Sequence, residues 1–335
     1  MEKDVGRLGE RVTYKTLEEP EQKIFDGKPF PLIITPSDDE QFVDSTDVNE
    51  WLKEKKEDLK DLLLKYAAIL FRGFPVDAPV HFDKFVRSLG FDAFPYIGGA
   101  APRNVVVGDV FTTNEAPPDK LIAFHHEVSQ APKSPETIFF YCDVPAKENG
   151  QTGIVLSNVV YREMKKREPD FVAELEEKGV HYIRVLPDGD DNNSAIGRGW
   201  QSTYLVTEKH EAEERAREQG TTFSWLPDGS MKTTTMLLPA MRVDKRTNKM
   251  MWFNAIDDAY RAYDDARNIP EESVCFGDGK YMEADKMDVM KDVLESNAVD
   301  YMWRHGDVIM IDNIQVLHAR RPFEHPRKVY AWMCI

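Results

Sequence analysis

The chain has 335 residues, with 43 Lys plus Arg against 59 Asp plus Glu, a formal net charge of −16. So acidic a surface repels nucleic acid and anionic membranes, and it admits an anionic small molecule only where a local basic pocket, expected to be internal, overrides the global sign. Three widely spaced cysteines, Cys142, Cys275 and Cys334, form neither a disulfide framework nor a CxxC zinc site and suggest a reducing compartment. The first residues lack the apolar stretch of a signal peptide and no apolar run reaches 18 residues, so a cytoplasmic location is expected, with oligomeric state left open.

Residues 1–30 are polar and weakly patterned and read as an arm; residues 31–335 read as a single domain. From Asp47 to Ala68, Leu52, Leu59, Leu62, Leu63 and Tyr66 share one face of a predicted helix. A strand over 67–71 ends at Arg72-Gly73, and a second helix is predicted over 80–89. Thr137–Cys142 and Gly153–Leu156 read as strands around the Asn149-Gly150 turn. One helix is predicted over 161–179, closed by Gly179, then a strand over 181–186 and a loop over 187–199. A charged helix over 208–219 follows, and strands 308–311, 314–317 and 328–334 close the chain. The whole reads as mainly β with helical insertions, an α+β chain built on a barrel or sandwich.

The chemistry concentrates at His125-His126-Glu127 and at His318. In a strand, residues i and i+2 share a face, so His125 and Glu127 project together and His126 points away. Two imidazoles and one carboxylate on one face of a metal leave positions open for a co-substrate and oxygen, the pattern of non-haem iron sites. His-x-Glu alone is a weak signal, because most such tripeptides are ordinary surface or core residues. His318 stands close to Arg320, Arg321 and Arg327; that setting disfavours a cationic imidazole but not a neutral, metal-bound one. His305, in a Gly-containing turn, is a poor ligand.

Several motifs in order resemble the TauD/TfdA dioxygenase family. They are Leu70-Phe71-Arg72-Gly73-Phe74, Phe124-His125-His126-Glu127, the run Pro135 to Cys142, Asn149-Gly150-Gln151-Thr152, and Gly306-Asp307, Asp312-Asn313 and His318. Within that family, Phe94-Pro95-Tyr96 through Pro102-Arg103, Ile196-Gly197-Arg198-Gly199-Trp200 and Phe276-Gly277-Asp278-Gly279 resemble the plant clavaminate synthase-like proteins.

The resemblance implies a double-stranded β-helix (jelly-roll) core, Fe(II), and 2-oxoglutarate and O2 as co-substrates. It implies His125, Glu127 and His318 as catalytic metal ligands, Thr152 as a 2-oxoglutarate contact, and Arg327 as the anchor of its distal carboxylate, with Arg321 and Lys328 as rivals. The second strand arginine that holds an anionic substrate in sulfonate-oxidising members has no counterpart, since Ala331 and Trp332 stand there. Glu127 fills the position that a halogenase leaves open, which favours hydroxylation or desaturation. Asn114, Glu115, Arg103, Arg198 and Arg320 are candidate contacts to a small-molecule substrate, each equally readable as an ordinary salt-bridge or turn residue. A metabolite-binding or metal-binding relative without turnover is the alternative.

Overall fold

The computed structural model describes residues 14–38, 42–96, 101, 103–114 and 116–335. The larger of two facing sheets has eight strands, in the order Tyr14–Leu17, Leu32–Pro36, Ala68–Phe71, Val308–Asp312, Thr137–Val144, Lys328–Cys334, Val110–Thr112 and Val105–Val107. The smaller has four, in the order Val299–Tyr301, Thr152–Leu156, Val316–Arg320 and Ile122–His125. Neighbours in the sequence are rarely neighbours in these sheets, which is the crossing connectivity of a jelly roll.

Side-chain alternation explains why central strands read as continuous apolar runs. Along Thr137–Val144, Ile138, Phe140 and Cys142 face the smaller sheet, while Phe139 and Tyr141 face the N-terminal helices. Lys328–Cys334 repeats this, with Val329, Ala331 and Met333 turned inward and Trp332 and Cys334 outward. A strand buried on both faces has no polar side. The helix Ser45–Tyr66 covers the outer face through Trp51, Leu52, Leu59 and Leu63. Asp44 caps it, accepting from the Thr46 and Asp47 amides.

Helices Ser157–Arg167, Pro169–Lys178, Ile256–Ala262 and Ala284–Asn297 cover the outside of the smaller sheet. A third sheet, Thr222–Trp225, Met231–Thr234, Val180–Leu186 and Val274–Phe276, completes the insertion. Helical and strand residues are about equally numerous. Among the described residues, no helix is long and apolar enough to cross a membrane.

Three expectations change. The helix predicted over 161–179 is two helices, because Pro169 pushes Glu168 to φ −134°, ψ 61° and interrupts the ladder there. The strand predicted over 314–317 is Val316–Arg320, because the Asp312 carboxylate accepts from the Ile314 and Gln315 amides and holds a turn there. His318 therefore lies within a strand. Helix Ala284–Asn297 was not predicted; its apolar face is spaced by Met287, Met290, Val293 and Leu294 among charged residues. Residues 14–30, read as an arm, carry three strands, of which Tyr14–Leu17 extends the larger sheet.

One buried ion pair ties the N-terminal segment to the sheet. Arg72 donates to Asp307 twice, Nε–Oδ1 at 3.1 Å and Nη2–Oδ2 at 2.7 Å, and also to Glu19 Oε1 at 3.0 Å and the Met302 carbonyl at 2.9 Å. Asp307 in turn accepts from the Arg304 amide at 2.8 Å. Removing one partner leaves the other charge stranded. Asp307→Ala is expected to cost about 3 kcal/mol of stability, read as a lower urea midpoint with an unchanged slope.

Candidate metal centre

The strand Ile122–His125 pairs antiparallel with Val316–Arg320, and His125 lies directly opposite His318. The two rings are therefore neighbours, with centroids 4.4 Å apart. The first strand ends at His125, and Glu127 opens the following turn. What positions Glu127 is Asn313, whose Oδ1 accepts from the Glu127 amide at 2.8 Å. Its Nδ2 donates to the Glu127 carbonyl at 3.1 Å and to the Pro135 carbonyl at 2.8 Å. Asn313 is fully buried and all three bonds are satisfied, so the ligand turn is pinned from below.

Donor atoms of His125, Glu127 and His318 lie within 4.8 Å of one another, near enough for one ion to touch all three. His125 Nδ1 is 2.8 Å from the Ala123 carbonyl, which can only accept; Nδ1 carries the proton and Nε2 keeps its lone pair. Glu127 Oε1 accepts from Arg103 Nη2 at 2.9 Å. Its other oxygen, Oε2, is buried without a hydrogen-bond partner, 3.5 Å from His318 Nε2. An orphaned, buried carboxylate oxygen beside two imidazoles is the environment that a cation satisfies. Burial opposes the Glu127 charge, yet the Arg103 guanidinium and the contact with His318 Nε2 prevail and hold its carboxyl far below the usual range. Burial and then His125 push His318 down to about 4, so it is neutral and able to ligate at physiological pH.

His126 points the other way, as strand alternation requires. It is fully buried: Nδ1 donates to the Asn313 carbonyl, while Nε2 lies 3.1 Å from Ser157 Oγ, which can donate to it. Burial holds it neutral, and its task is structural.

The donor group opens onto a cavity. Thr152 and Arg327 both line it. Thr152 Oγ1 accepts from Trp303 Nε1 at 3.0 Å. Arg327 Nε donates to the Gly150 carbonyl at 3.1 Å, and its guanidinium pairs with no carboxylate among the described residues. Burial lowers its pKa to about 10. Gly150 has φ +71°, and a Cβ there would stand 2.8 Å from Ala146 Cβ and 3.2 Å from Arg327 Cδ. This turn needs glycine both for its left-handed backbone and for the approach of Arg327. Of the rivals, Arg321 is locked by Asp300 and Glu295 in four hydrogen bonds. Lys328 lies outside this cavity's lining.

The other candidates separate by their partners. Arg103 lines the cavity but is committed to Glu127 and stacks on Tyr96. Arg320 lines it too, but donates to the carbonyls of Asn114, Ala116, Pro117 and Lys120, clasping the segment that precedes the ligand strand. Arg198 stacks on the same Tyr96 ring and donates to the Tyr96 and Ser202 carbonyls, away from the cavity lining. Asn114 lines the cavity and donates to the Ala195 carbonyl at 3.2 Å. Glu115 lies outside the described residues, as do 97–100 and 102 of the plant-like motif. Sequence reasoning missed Asp258 and Tyr263, which helix Ile256–Ala262 and the residue after it bring to the cavity wall. Burial raises Asp258 to about 6. Their only signal was Asp257-Asp258 in an otherwise apolar stretch, which does not distinguish a site from a helix start.

The family profile described as "Taurine catabolism dioxygenase TauD, TfdA family" matches residues 33–334. The clavaminate synthase-like protein At3g21360 of Arabidopsis thaliana is 46% identical over 318 residues, covering 94% of this chain and 96% of that protein. The dapdiamide synthesis protein DdaC of Enterobacter agglomerans is 28% identical over 283 residues, covering 81% and 83%. Among solved structures, PvcB of Pseudomonas aeruginosa superposes with a TM-score of 0.52 at 13% identity, covering 98% of this chain and 93% of that one. The AAD-2 structure in complex with Mn(II) and N-oxalylglycine gives 0.50 at 12% identity, covering 93% and 96%. At such identities the two structures speak for the fold, which is the jelly roll described above. The profile match and the Arabidopsis relative go further: the chain belongs to the TauD/TfdA family and is an iron(II)- and 2-oxoglutarate-dependent dioxygenase.

Proposed function

We propose that His125, Glu127 and His318 hold the iron, that Thr152 and Arg327 hold 2-oxoglutarate, and that the enzyme hydroxylates or desaturates a small molecule, releasing succinate and CO2. The observation that carries this reading is the orphaned Glu127 Oε2 between two imidazoles, at a cavity that also holds an arginine, Arg327, without a carboxylate partner among the described residues. When bound, iron and 2-oxoglutarate supply the oxidising power for C–H cleavage.

The protein's own residues do the positioning. Arg103 takes Glu127 Oε1, which leaves Oε2 as the oxygen that would hold the iron. The Ala123 carbonyl fixes the His125 tautomer. Arg327 offers a planar, permanently charged fork that matches a carboxylate two oxygens at a time. The Gly150 carbonyl holds that fork in place from behind. With three protein ligands, the iron would keep positions for the co-substrate and for oxygen. The mostly apolar cavity wall, with Leu121, Ile122, Ile196 and Val329, restricts water around the reacting carbon.

Anaerobic addition of Fe(II) and 2-oxoglutarate to the protein should produce the weak visible charge-transfer band of the chelate; its absence in a folded, iron-loaded sample would sink the reading. His318→Ala is expected to abolish 2-oxoglutarate decarboxylation, and retained succinate release would show that another group is the third ligand. Arg327→Ala is expected to weaken 2-oxoglutarate binding by about 2 kcal/mol, roughly 30-fold. The band should still reach full height at higher concentration, and an unchanged affinity would move the anchor elsewhere.

A further inference from the structure

Arg184, on the strand Val180–Leu186, is 8% exposed. A buried guanidinium ordinarily comes with a carboxylate. Arg72, Arg261, Arg267 and Arg321 each have one. Arg184 has none among the described residues. Among the described residues its side chain makes one hydrogen bond, Nη2 to Thr203 Oγ1, at a long 3.4 Å. Arg198 lies near enough to add further positive potential.

Arg184 lines a second cavity, whose lining among the described residues contains no acidic side chain. Thr203, Thr221, Tyr204 and Tyr263 contribute hydroxyls to it. Burial pushes Tyr204 up to about 12 and raises Tyr263 as well, so both phenols stay protonated and serve as donors. The cavity is thus a set of donors around one uncompensated cation, inside a protein of net charge −16. It also adjoins the metal cavity. Gln130 and Tyr263 line both, and Tyr263 feels Arg184 and Asp258 together.

We propose that this second cavity binds an oxyanion, through Arg184 and the surrounding hydroxyls, as the anionic end of the substrate whose reacting carbon lies in the metal cavity. The donor chemistry fits a carboxylate or a tetrahedral group such as phosphate or sulfate. The anion site stands on the Arg184 geometry; its assignment to the substrate rests on the oxygenase reading above. It gives the chain an anion-recognising arginine on the insertion, where the last core strand carries Ala331 and Trp332.

The test titrates the full chain with sulfate and, separately, with acetate. Both titrations are done anaerobically, first with Fe(II) and saturating 2-oxoglutarate and then without either. Saturable binding of at least one anion is expected in both conditions, and which one binds assigns the tetrahedral or carboxylate source. Arg184→Met should weaken it at least tenfold and Arg184→Lys should retain part of it. In anion-free buffer Arg184→Met should melt at the wild-type temperature or above, since a buried cation without a counter-ion is replaced by an apolar side chain. The charge-transfer band of Arg184→Met should be unchanged. The proposal is overturned by the absence of saturable binding, by wild-type binding in Arg184→Met, or by a lowered Tm of that variant without anion, which marks a purely structural arginine. Loss of the band in Arg184→Met would overturn it too, by making Arg184 a 2-oxoglutarate ligand. Arginine-dependent anion binding that persists without iron stands even if the oxygenase reading fails.

Discussion

Everything at the metal centre depends on one register: His125 opposite His318 across an antiparallel pair. A slip of one residue would turn each imidazole to the opposite face of the sheet, into the helices that cover its outer side. The register is held from both flanks. On one side Ile154 stands opposite His318 in the neighbouring strand Thr152–Leu156, so the metal strand is central and cannot slide alone. On the other, Asn313 grips the Glu127 turn through both of its amide atoms, so the carboxylate is fixed relative to the strand that bears His318.

The charge arrangement follows from that geometry. Collecting a carboxylate and two imidazoles in a buried cleft costs desolvation, and Arg103 offsets it for Glu127 while leaving the other oxygen without a hydrogen-bond partner. The other arginines near the site divide by what they touch. Arg320 spends four donors on carbonyls and stiffens the chain leading into the ligand strand. Arg321 sits in two carboxylates. Arg327 and Arg184 retain donors without a carboxylate, one in each of two adjoining cavities. Proximity in sequence among Arg320, Arg321 and Arg327 therefore says little about their tasks.

This division marks what was legible in the chain. Alternation alone separated His125 and Glu127 from His126, because a two-residue period is a local property of the backbone. The apolar runs revealed the central strands, and the ordered motifs pointed to the jelly roll and to Thr152, His318 and Arg327. Pro169 was a readable break that helical periodicity outweighed. Asn313 stands beside the turn before His318, yet its side chain reaches across to Glu127, more than 180 residues earlier. Asp258 and Arg184 were not legible as site residues, since each becomes one only through the packing of helix Ile256–Ala262 and of the third sheet against the core. Long-range side-chain bonds and cavity walls leave no periodic trace.

The insertion between Leu156 and Val299 leaves and re-enters the smaller sheet on paired neighbours, with Ile154 opposite Val299. Its two ends are thus already side by side, and the core need not stretch to accommodate whatever lies between them. It is joined to the core by the Trp252 carbonyl near His126, by Arg246 on Asp312, by Glu295 on Arg321 and by helix Ile256–Ala262 beside the strand Ile122–His125. With both ends paired in one sheet, the insertion can gain or lose residues in its outer loops while the register of the two strands it joins stays as it is.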